Sequence, residues 1–252
     1  MRKIKIVLLI LYFLFFLPLS SASLIAYYSF EGNADDFSGS GYHGTNYGAT
    51  LVSGYRGQAF YFDGSDYIYS GLNINPSALT QLTMGAWVKA SNSSPVRQVI
   101  SHDNGGYDRS LGIDSRGGGT GWSAFKGSGV IGYSPVSLEE WVFIAVSYNQ
   151  ATSTAMLYVN GVTYSSTSGL GEGYSYTNIG RNPLSGGVEY FIGTIDEVFF
   201  YSEALNASQL DNIRLNGIVP ELSTCFFMLL ALSFCIQRGT KSHLSNFLRR
   251  HT

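Results

Sequence analysis

Residues 190–213 read YFIGTIDEVFFYSEALNASQLDNI, and this stretch decides the fold. Apolar side chains occupy both alternating faces over residues 191–201, which is typical of a strand buried from both sides. Asp196 stands in the middle of that strand, and a buried carboxylate needs a cation or hydrogen-bond donors as partners. Asn206 and Gln209 then form a capping-box pattern, which predicts one short helix.

Between residue 24 and this strand, the sequence favours short strands over helices. Runs rich in Val, Ile, Tyr, Phe and Trp alternate with clusters of Gly, Ser and Asn. The clearest predicted strands are 24–30, 59–62, 67–69, 82–89, 98–102, 141–149, 155–159 and 191–201. Residues 149–153 and the Asn160-Gly161 pair predict two hairpin turns, whereas the glycine-rich segments 103–121 and 168–187 predict long loops. The pattern indicates an all-β, two-sheet antiparallel sandwich or jelly roll, with Trp87 between the sheets.

Several motifs, in order, resemble one family over nearly all of residues 24–213. They include Ala26-Tyr-Tyr-Ser-Phe-Glu-Gly-Asn33, Leu157-Tyr-Val-Asn-Gly161 and Gly193-Thr-Ile-Asp-Glu-Val198. Together they resemble the laminin-G-like, concanavalin A-like jelly rolls of bacterial surface proteins. The resemblance implies two antiparallel sheets with one curved face. It decides little about function, because this fold hosts lectins, carbohydrate-binding modules, adhesion domains and glucanases.

The first 22 residues have the pattern of a secretory signal peptide. Arg2, Lys3 and Lys5 precede an apolar run over 6–17, and small residues lead to a cleavage site after Ala22. The run is short for a membrane span of about 20 residues, although an uncleaved anchor is the alternative. We therefore predict an N-terminal hydrophobic targeting helix, an exported protein and a mature domain that begins at residue 23.

Residues 218–252 form a second targeting segment. Val219-Pro220-Glu221-Leu222 precedes an apolar run over 225–236 and a basic end. This order resembles the PEP-CTERM sorting signal of Gram-negative bacteria that make exopolysaccharide, although Leu222 stands where that family usually has proline. The resemblance implies a C-terminal hydrophobic helix that meets the membrane at least transiently, and processing by an exosortase-type enzyme. A plain C-terminal anchor, held by the positive-inside bias, is the alternative.

The charge and cysteine content of residues 24–217 exclude two classes of protein. The chain has 15 basic and 17 acidic residues, of which eight basic and sixteen acidic ones lie in this range. A net charge of about −8 disfavours nucleic acid as a partner, because nucleic-acid binding needs a basic face. The only cysteines, Cys225 and Cys235, belong to the tail, so the domain is not a disulfide-stapled scaffold.

The acidic turn near residue 35 suggests a calcium site. Oxygen ligands such as those of Asn33 and Asp36 suit Ca²⁺. The family resemblance implies a structural calcium between this turn and the last strand, held by Asn33, Asp36 and Asp196 with backbone carbonyls near Gly41 or His43. The alternative is that the acidic residues are ordinary turn formers and that Asp196 is satisfied by an arginine or by backbone amides.

A hydrolase needs paired carboxylates, and the last strand lacks them. Some jelly rolls of this shape cleave polysaccharides with a Glu-x-Asp-x-Glu strand, since retaining hydrolysis needs two carboxyl groups about 5 Å apart. The matching positions here are Thr194, Asp196 and Val198, so both outer carboxylates are missing. Glu197 adjoins Asp196 but is expected to point to the opposite face. We predict that the protein is not an enzyme.

Aromatic and polar residues in the predicted loops suggest sugar binding. Aromatic rings stack on the apolar faces of pyranoses, while Asn, Asp and Arg bind hydroxyls. The candidates are Tyr107, Asp108, Arg109, Trp122, Tyr133, Tyr174, Tyr176 and Arg181. Trp122, expected in a glycine-rich loop, is the leading one, and its alternative role is a plug at one end of the sandwich. We therefore predict an exported, surface-associated, non-catalytic protein that binds glycan or exopolysaccharide. The alternatives are a structural envelope or matrix component without a ligand and, more weakly, a polysaccharide hydrolase.

Overall fold

The computed structural model describes residues 22–94, 96–116, 118–183 and 189–218 of the chain. The chain divides into two units at Gly217, and the elements named below belong to the first. Its strands form two antiparallel sheets, which we call sheet A and sheet B. The predicted all-β, two-sheet antiparallel sandwich is therefore confirmed, and its arrangement is consistent with a jelly roll.

Sheet A contains eight strands. They are β1 (Leu24–Tyr28), β3 (Thr50–Ser53), β4 (Gln58–Asp63), β6 (Gln81–Ala90), β11 (Trp141–Asn149), β12 (Thr154–Val159), β13 (Val162–Thr167) and β15 (Ile192–Tyr201). Their spatial order is β13-β12-β11-β6-β15-β4-β3, and β1 also pairs with β15. Strand β15 thus lies near the centre of the sheet.

Sheet B contains seven strands. They are β2 (Thr45–Tyr47), β5 (Tyr67–Ser70), β7 (Arg97–Ser101), β8 (Ser110–Asp114), β9 (Gly121–Phe125), β10 (Val130–Ser134) and β14 (Thr177–Ile179). Their spatial order is β10-β9-β8-β7-β14-β5-β2, which places β7 in the middle.

The core fills the space between the two sheets. Alternate residues of each strand point into it, such as Leu111 and Ile113 of β8 and Val88 of β6, all fully buried. Burying an aliphatic side chain of this size stabilises the fold by about 1.5–3 kcal/mol. Tyr28 of β1 also enters the core, where its hydroxyl lies 2.7 Å from that of Ser70 in β5.

A second apolar layer covers the outward face of sheet A. The rings of Phe143 and Phe199 lie 5.8 Å apart, and Trp87 lies 5.5 Å from Phe143. Tyr158 joins them and donates a hydrogen bond of 2.7 Å to Asp211 in the C-terminal helix. Strand β15 is therefore buried on both faces, as predicted. The expectation that Trp87 lies between the sheets is wrong, because its chain neighbours in β6 take the inward positions.

Strand β15 contains a bulge at its centre. It pairs with β4 up to Ile195 and with β1 from Val198, and both of these side chains belong to the core. Between them Glu197 has a φ of 52°, and its carboxylate accepts a hydrogen bond of 2.8 Å from the outward-facing Tyr27. The extra residue breaks the alternation, so Asp196 and Glu197 share the outward face. The expectation that Glu197 points away from Asp196 is wrong for this reason.

The helix and the hairpin turns agree with the sequence. Helix α1 (Ala207–Asn216) starts with a capping box in which Asn206 and Gln209 bond each other's backbone amides, and it buries Leu210 and Ile213. The loop over residues 150–153 joins β11 to β12, as predicted. The turn from β12 to β13 places the Asn-Gly pair at 160–161 in the left-handed region, with φ values of 46° and 95°.

All predicted strands are present within two residues of their expected ends, but seven further strands are not predicted by the pattern. Several of these strands contain glycines, which favour a loop assignment in the sequence. A Cβ on Gly112 would collide with the carbonyl oxygen of Arg97, and one on Gly121 with that of Ser134. These positions need glycine because two backbones approach closely. In the sequence the same glycines read as loops.

The predicted signal peptide and C-terminal sorting segment lie outside the described residues, except for residues 22 and 218, and both stay predictions. The predicted terminal targeting helices lie in those two segments and also stay predictions, as does the division of the chain into 1–22, 23–217 and 218–252. Among the residues that the structure describes, no helix is long and apolar enough to cross a membrane.

Candidate functional site

Tyrosine side chains line the outward face of sheet B around β2 and β5. In β5, Ile68 points into the core, so Tyr67 and Tyr69 on either side of it point outward. Tyr47 of β2 is the register partner of Tyr67, and their rings stack with centroids 4.6 Å apart and planes at 10°. Tyr47 is 49% exposed and Tyr69 37% exposed. These rings are therefore accessible from solvent.

Two further tyrosines extend this face alongside β14. The ring of Tyr176 lies 5.3 Å from that of Tyr69 and 5.1 Å from that of Tyr174, with which it stacks at 26°. Burial raises the pKa of the Tyr176 hydroxyl. We call the following set the tyrosine surface: Tyr47, Tyr67, Tyr69, Tyr174, Tyr176, Tyr190 and Arg181.

Arg181 lies within the tyrosine surface and is held on three sides. The carbon of its guanidinium group lies 3.4 Å from the ring centroid of Tyr67, a cation–π contact. Its Nη1 donates a hydrogen bond of 2.9 Å to the hydroxyl of Tyr190. When the Asn178 amide is oriented with its oxygen towards the arginine, Nε and Nη2 donate to that oxygen at 2.8 and 3.3 Å. Arg181 as a whole residue is half-buried.

A buried polar network lies beside the tyrosine surface, next to the middle strand β7. Asn182 Nδ2 donates to Asp103 Oδ2 at 3.0 Å and to Glu189 Oε2 at 2.9 Å. Asp103 Oδ1 in turn accepts from the backbone amide of Asp108 at 2.9 Å. Burial, together with the nearby Asp103 carboxylate, raises the pKa of Asp108. Because these groups satisfy one another's hydrogen-bonding requirements, they form a fixed polar network beneath this face.

The opposite end of this face is built around Arg116. Its guanidinium pairs with Asp114 and, at 3.1 Å, with Glu189, which joins it to the polar network. The same group lies 5.2 Å from the ring of Tyr107, and the Tyr133 hydroxyl donates to the Arg116 carbonyl oxygen. Burial opposes the charge of Arg116, but the two carboxylates prevail and raise its pKa. This arginine is therefore neutralised by its partners.

The structure divides the predicted sugar-binding residues into four groups. Tyr174, Tyr176 and Arg181 belong to the tyrosine surface, Asp108 belongs to the polar network, and Tyr107 and Tyr133 stand at the Arg116 end. The fourth group, Trp122 and Arg109, is not on the surface. Sequence reasoning missed Tyr47, Tyr67, Tyr69 and Tyr190. The alternation of the predicted strand 67–69 could have indicated the outward pair in β5.

Trp122 and Arg109 are fully buried on the inward side of sheet B. Trp122 belongs to strand β9, not to a loop, and joins the core. Arg109 lies 5.5 Å from the ring of Tyr148 and donates to the carbonyl oxygen of Ile74 at 2.6 Å, and burial lowers its pKa to about 10. A buried side chain presents no face to a glycan, so we do not carry these two residues into the proposed site.

Backbone amides satisfy the carboxylate of Asp36 in the opening turn. Oδ1 accepts from the amides of Tyr27 at 3.0 Å and Ser38 at 2.8 Å, and Oδ2 accepts from that of Tyr42 at 3.0 Å. Burial alone would raise the pKa of Asp36, but the hydrogen bonds outweigh burial and lower it. The carboxylate thus ties the turn to strand β1.

Backbone amides also satisfy Asp196. Its Oδ1 accepts from the amide of Glu197 at 2.8 Å, and its Oδ2 accepts from the amide of Arg56 at 2.9 Å. Burial, reinforced by the neighbouring Glu197 carboxylate, raises the pKa of Asp196 to about 7 in spite of these bonds. The need for a partner is confirmed, and in this structure backbone amides meet it.

The predicted calcium ligands Asn33, Asp36, His43 and Asp196 have hydrogen-bond partners within the protein. Asn33 donates to Asp35 at 2.6 Å, and His43 Nδ1 accepts from the amide of Asp36 at 3.3 Å. In the described part of the chain, no group of three or more His, Cys, Asp or Glu side chains could hold a metal ion by itself. The calcium site, which also involves Asn33 and backbone carbonyls, stays a prediction.

The comparison with protein families gives one match. A family model for laminin G domains, described as the concanavalin A-like lectin/glucanases superfamily, matches residues 62–211. These residues span strands of both sheets and the start of helix α1. A comparison with curated proteins finds no match.

Solved structures share the fold at low sequence identity. Domain 4 of AbnA, a GH43 extracellular arabinanase from Geobacillus stearothermophilus solved with arabinotriose, has a TM-score of 0.61 and 21% identity, and the alignment covers 77% of this chain and 99% of that one. The binding domain of Paraclostridial Mosquitocidal Protein 1 has a TM-score of 0.58 and 17% identity, covering 76% and 51%. The binding domain of botulinum neurotoxin DC, solved with SialylT, has a TM-score of 0.55 and 13% identity, covering 76% and 50%. Identities this low show a common fold and nothing finer.

Proposed function

The chain belongs to the concanavalin A-like lectin/glucanase superfamily, and from this premise we propose that it is a non-catalytic carbohydrate-binding protein. The tyrosine surface is the proposed site. The proposed ligand is a glycan or exopolysaccharide, and the proposed place of action is the cell surface, outer envelope or extracellular matrix of a Gram-negative bacterium.

The observation that carries the proposal is the exposed stack of Tyr47 on Tyr67. Sugar rings have apolar faces that stack on aromatic rings, and their hydroxyls bond to polar groups beside those rings. The tyrosine surface offers both, because Arg181 and Tyr190 lie next to the stack. Many of these rings are already fixed by contacts with each other, so binding a sugar orders few additional side chains.

The solved relatives support the kind of ligand, though not its identity. One is a domain of an arabinanase solved with arabinotriose, and others are toxin binding domains, one of them solved with SialylT. Two of these three are binding domains and the other was solved in complex with arabinotriose, so they favour a binding role for this chain over a catalytic one. The specific glycan is not transferable at these identities.

The last strand contains one pair of adjacent carboxylates, Asp196 and Glu197, and the burial of this pair argues against a hydrolase. Although Asp196 and Glu197 share a face, they are only 0% and 7% exposed. Their oxygens already accept hydrogen bonds from backbone amides and from Tyr27. A glycosidic bond needs one carboxylic acid and one carboxylate that both reach it. We therefore propose a binding role for the protein and a structural role for this pair.

Export and sorting complete the proposal and rest on the sequence alone. The signal-peptide pattern of residues 1–22 supports export, and the tail after residue 218 supports an exosortase-type partner and at least transient contact with the membrane. The structural alternative, an envelope or matrix component without a ligand, would have the same cellular location. The tyrosine surface favours the binding role, since it combines an exposed aromatic stack with the half-buried Arg181 beside it.

The proposal is tested by titrating the full-length protein with a panel of soluble polysaccharides, first with calcium and then with EDTA. We expect saturable binding to at least one polysaccharide. A folded protein that binds no member of the panel would contradict the proposal and favour the structural alternative. A lower melting temperature in EDTA would support the predicted structural calcium, whereas an unchanged one would count against it.

A further inference from the structure

We infer that the tyrosine surface selects acidic polysaccharides, with the carboxylate of a uronic acid residue bound by Arg181. The inference rests on the proposed function and adds the chemical class of the ligand. A neutral sugar would need only the rings and hydrogen-bonding groups of this surface, whereas the charge of Arg181 gives a reason for an acidic one.

Arg181 has no acidic partner in the described part of the chain. No Asp or Glu carboxylate there lies within 4.0 Å of its guanidinium nitrogens. Arg116, on the same outward face of sheet B, pairs with both Asp114 and Glu189. One arginine is therefore neutralised within the fold, while the other keeps a charge that a ligand can neutralise.

The guanidinium group of Arg181 is fixed before any ligand arrives. Tyr67 lies against it at 3.4 Å, Tyr190 accepts from Nη1, and Asn178 accepts from Nε and Nη2. An arginine has five N–H donors, so these bonds leave one on each terminal nitrogen. A charged N–H group of an arginine forms a strong hydrogen bond with a carboxylate.

The charge of Arg181 lies beside the stacked rings of Tyr47 and Tyr67. Tyr47 and Arg181 both lie within stacking distance of the Tyr67 ring, at 4.6 and 3.4 Å, and two groups this close cannot share one face of it. They therefore lie on opposite faces of Tyr67. A uronic acid residue carries its carboxylate on the sugar ring itself. A polymer that stacks on Tyr47 can thus place a neighbouring carboxylate at Arg181.

The net charge of the domain makes the inference sharply testable. Residues 24–217 carry about eight more acidic than basic side chains, so this part of the chain repels a polyanion. General electrostatic attraction therefore cannot produce a preference for acidic polymers. A preference would have to come from a local cation, and within the tyrosine surface that cation is Arg181.

The experiment uses the full-length protein and pairs of polymers that differ only in charge. The probes are polygalacturonate and alginate, each with its carboxyl-reduced counterpart, in which the uronic acids have become neutral hexoses. We expect at least one acidic polymer to bind about tenfold more tightly than its reduced form, as a charge-assisted contact predicts. Arg181→Gln should abolish that preference, and Arg181→Lys, which keeps the charge but loses the planar fork, should retain only part of it.

Arg214→Gln is the matched control, because it removes the same charge from helix α1, where Arg214 pairs with Asp211. It should keep the preference for acidic polymers. Equal affinity of the unmodified protein for acidic and reduced polymers would overturn the inference and leave the proposed function standing. Binding to neither kind, nor to any other glycan of the panel, would overturn both. The comparison of polymers on the unmodified protein decides the question even if Arg181→Gln does not fold.

Discussion

Tyr47 and Tyr67 stack across β2 and β5 with ring centroids 4.6 Å apart and planes at 10°. A similar pair lies on the outward face of the other sheet, where Tyr55 stacks on Trp87 with centroids 3.5 Å apart and planes at 13°. Both pairs have an exposed outer tyrosine. Their surroundings differ, because only the first has a half-exposed arginine, Arg181, on the other side of the stack.

Replacing Trp122 should reduce stability and leave glycan binding unchanged. The indole is fully buried in the core, and Trp→Ala substitutions at such sites cost about 3–5 kcal/mol. We expect Trp122→Ala to lower the urea midpoint strongly, while the folded protein keeps its glycan affinity. If Trp122→Ala does not fold, glycan affinity is measured on Trp122→Phe instead. Loss of binding by a folded Trp122→Phe protein would show that this residue contributes to the site after all.

Asp196 should make the fold less stable as the pH rises from about 4 to about 7. Its pKa is raised from 3.8 to about 7 in the folded protein. Between these values the folded state holds a proton that the unfolded state has lost, so stability falls by up to about 1.4 kcal/mol per pH unit and then levels off. Urea unfolding of the unmodified protein and of Asp196→Asn isolates this effect. A difference between the two that does not change with pH would contradict the assignment.

His102 should make the fold more stable as the pH rises from about 4 to about 6.5, which is opposite to the effect of Asp196. Burial lowers its pKa from 6.5 to about 4. Its ring accepts from the amide of Arg109 at 3.1 Å and lies 3.1 Å from the carbonyl oxygen of Tyr174. The stability that this neutral ring contributes is complete above pH 6.5 and is lost as the pH falls towards 4. The difference between the unmodified protein and His102→Gln should therefore grow as the pH rises from about 4 to about 6.5, and a difference that shrinks would count against it.

The capping box of helix α1 should contribute to stability without contributing to binding. The Asn206 side chain accepts from the amide of Gln209 at 3.0 Å, and the Gln209 side chain accepts from the amide of Asn206 at 2.9 Å. Losing such a cap costs about 1 kcal/mol. Asn206→Ala should lower the free energy of unfolding by about that amount, whereas Asn216→Ala at the exposed end of the helix should not. Equal effects of the two variants would show that the cap is not the cause.

The parts of the fold that the sequence predicts are those governed by local chemistry. Strand β15, the capping box and the Asn-Gly turn at 160–161 each follow from neighbouring residues. Strands β8 and β9 cannot be predicted in this way. Glycines such as Gly112 and Gly121 are required there because the backbone of another strand lies too close for a Cβ atom. That requirement is tertiary, and a single sequence does not display it.

The candidate site shows the same division. Alternation predicts that residues two apart share a face of a strand, but it does not say which face meets the core. Trp87, expected between the sheets, lies on the outward face under Tyr55. Trp122, expected in a loop, points into the core. Arg181 could be predicted as a candidate from its residue type, whereas its stacking partner Tyr67 depends on how β5 and β14 pair.

The most direct test of the central claim compares Tyr47→Ala with Tyr55→Ala in isothermal titration with the polysaccharide that binds best. Each variant removes an exposed tyrosine from an aromatic stack, so the two should lose similar stability. The tyrosine surface predicts that only Tyr47→Ala weakens binding, by about tenfold or more, which corresponds to about 1.4 kcal/mol. If Tyr47→Ala binds as tightly as the unmodified protein, or if both variants weaken binding equally, the glycan site is not on this face of sheet B.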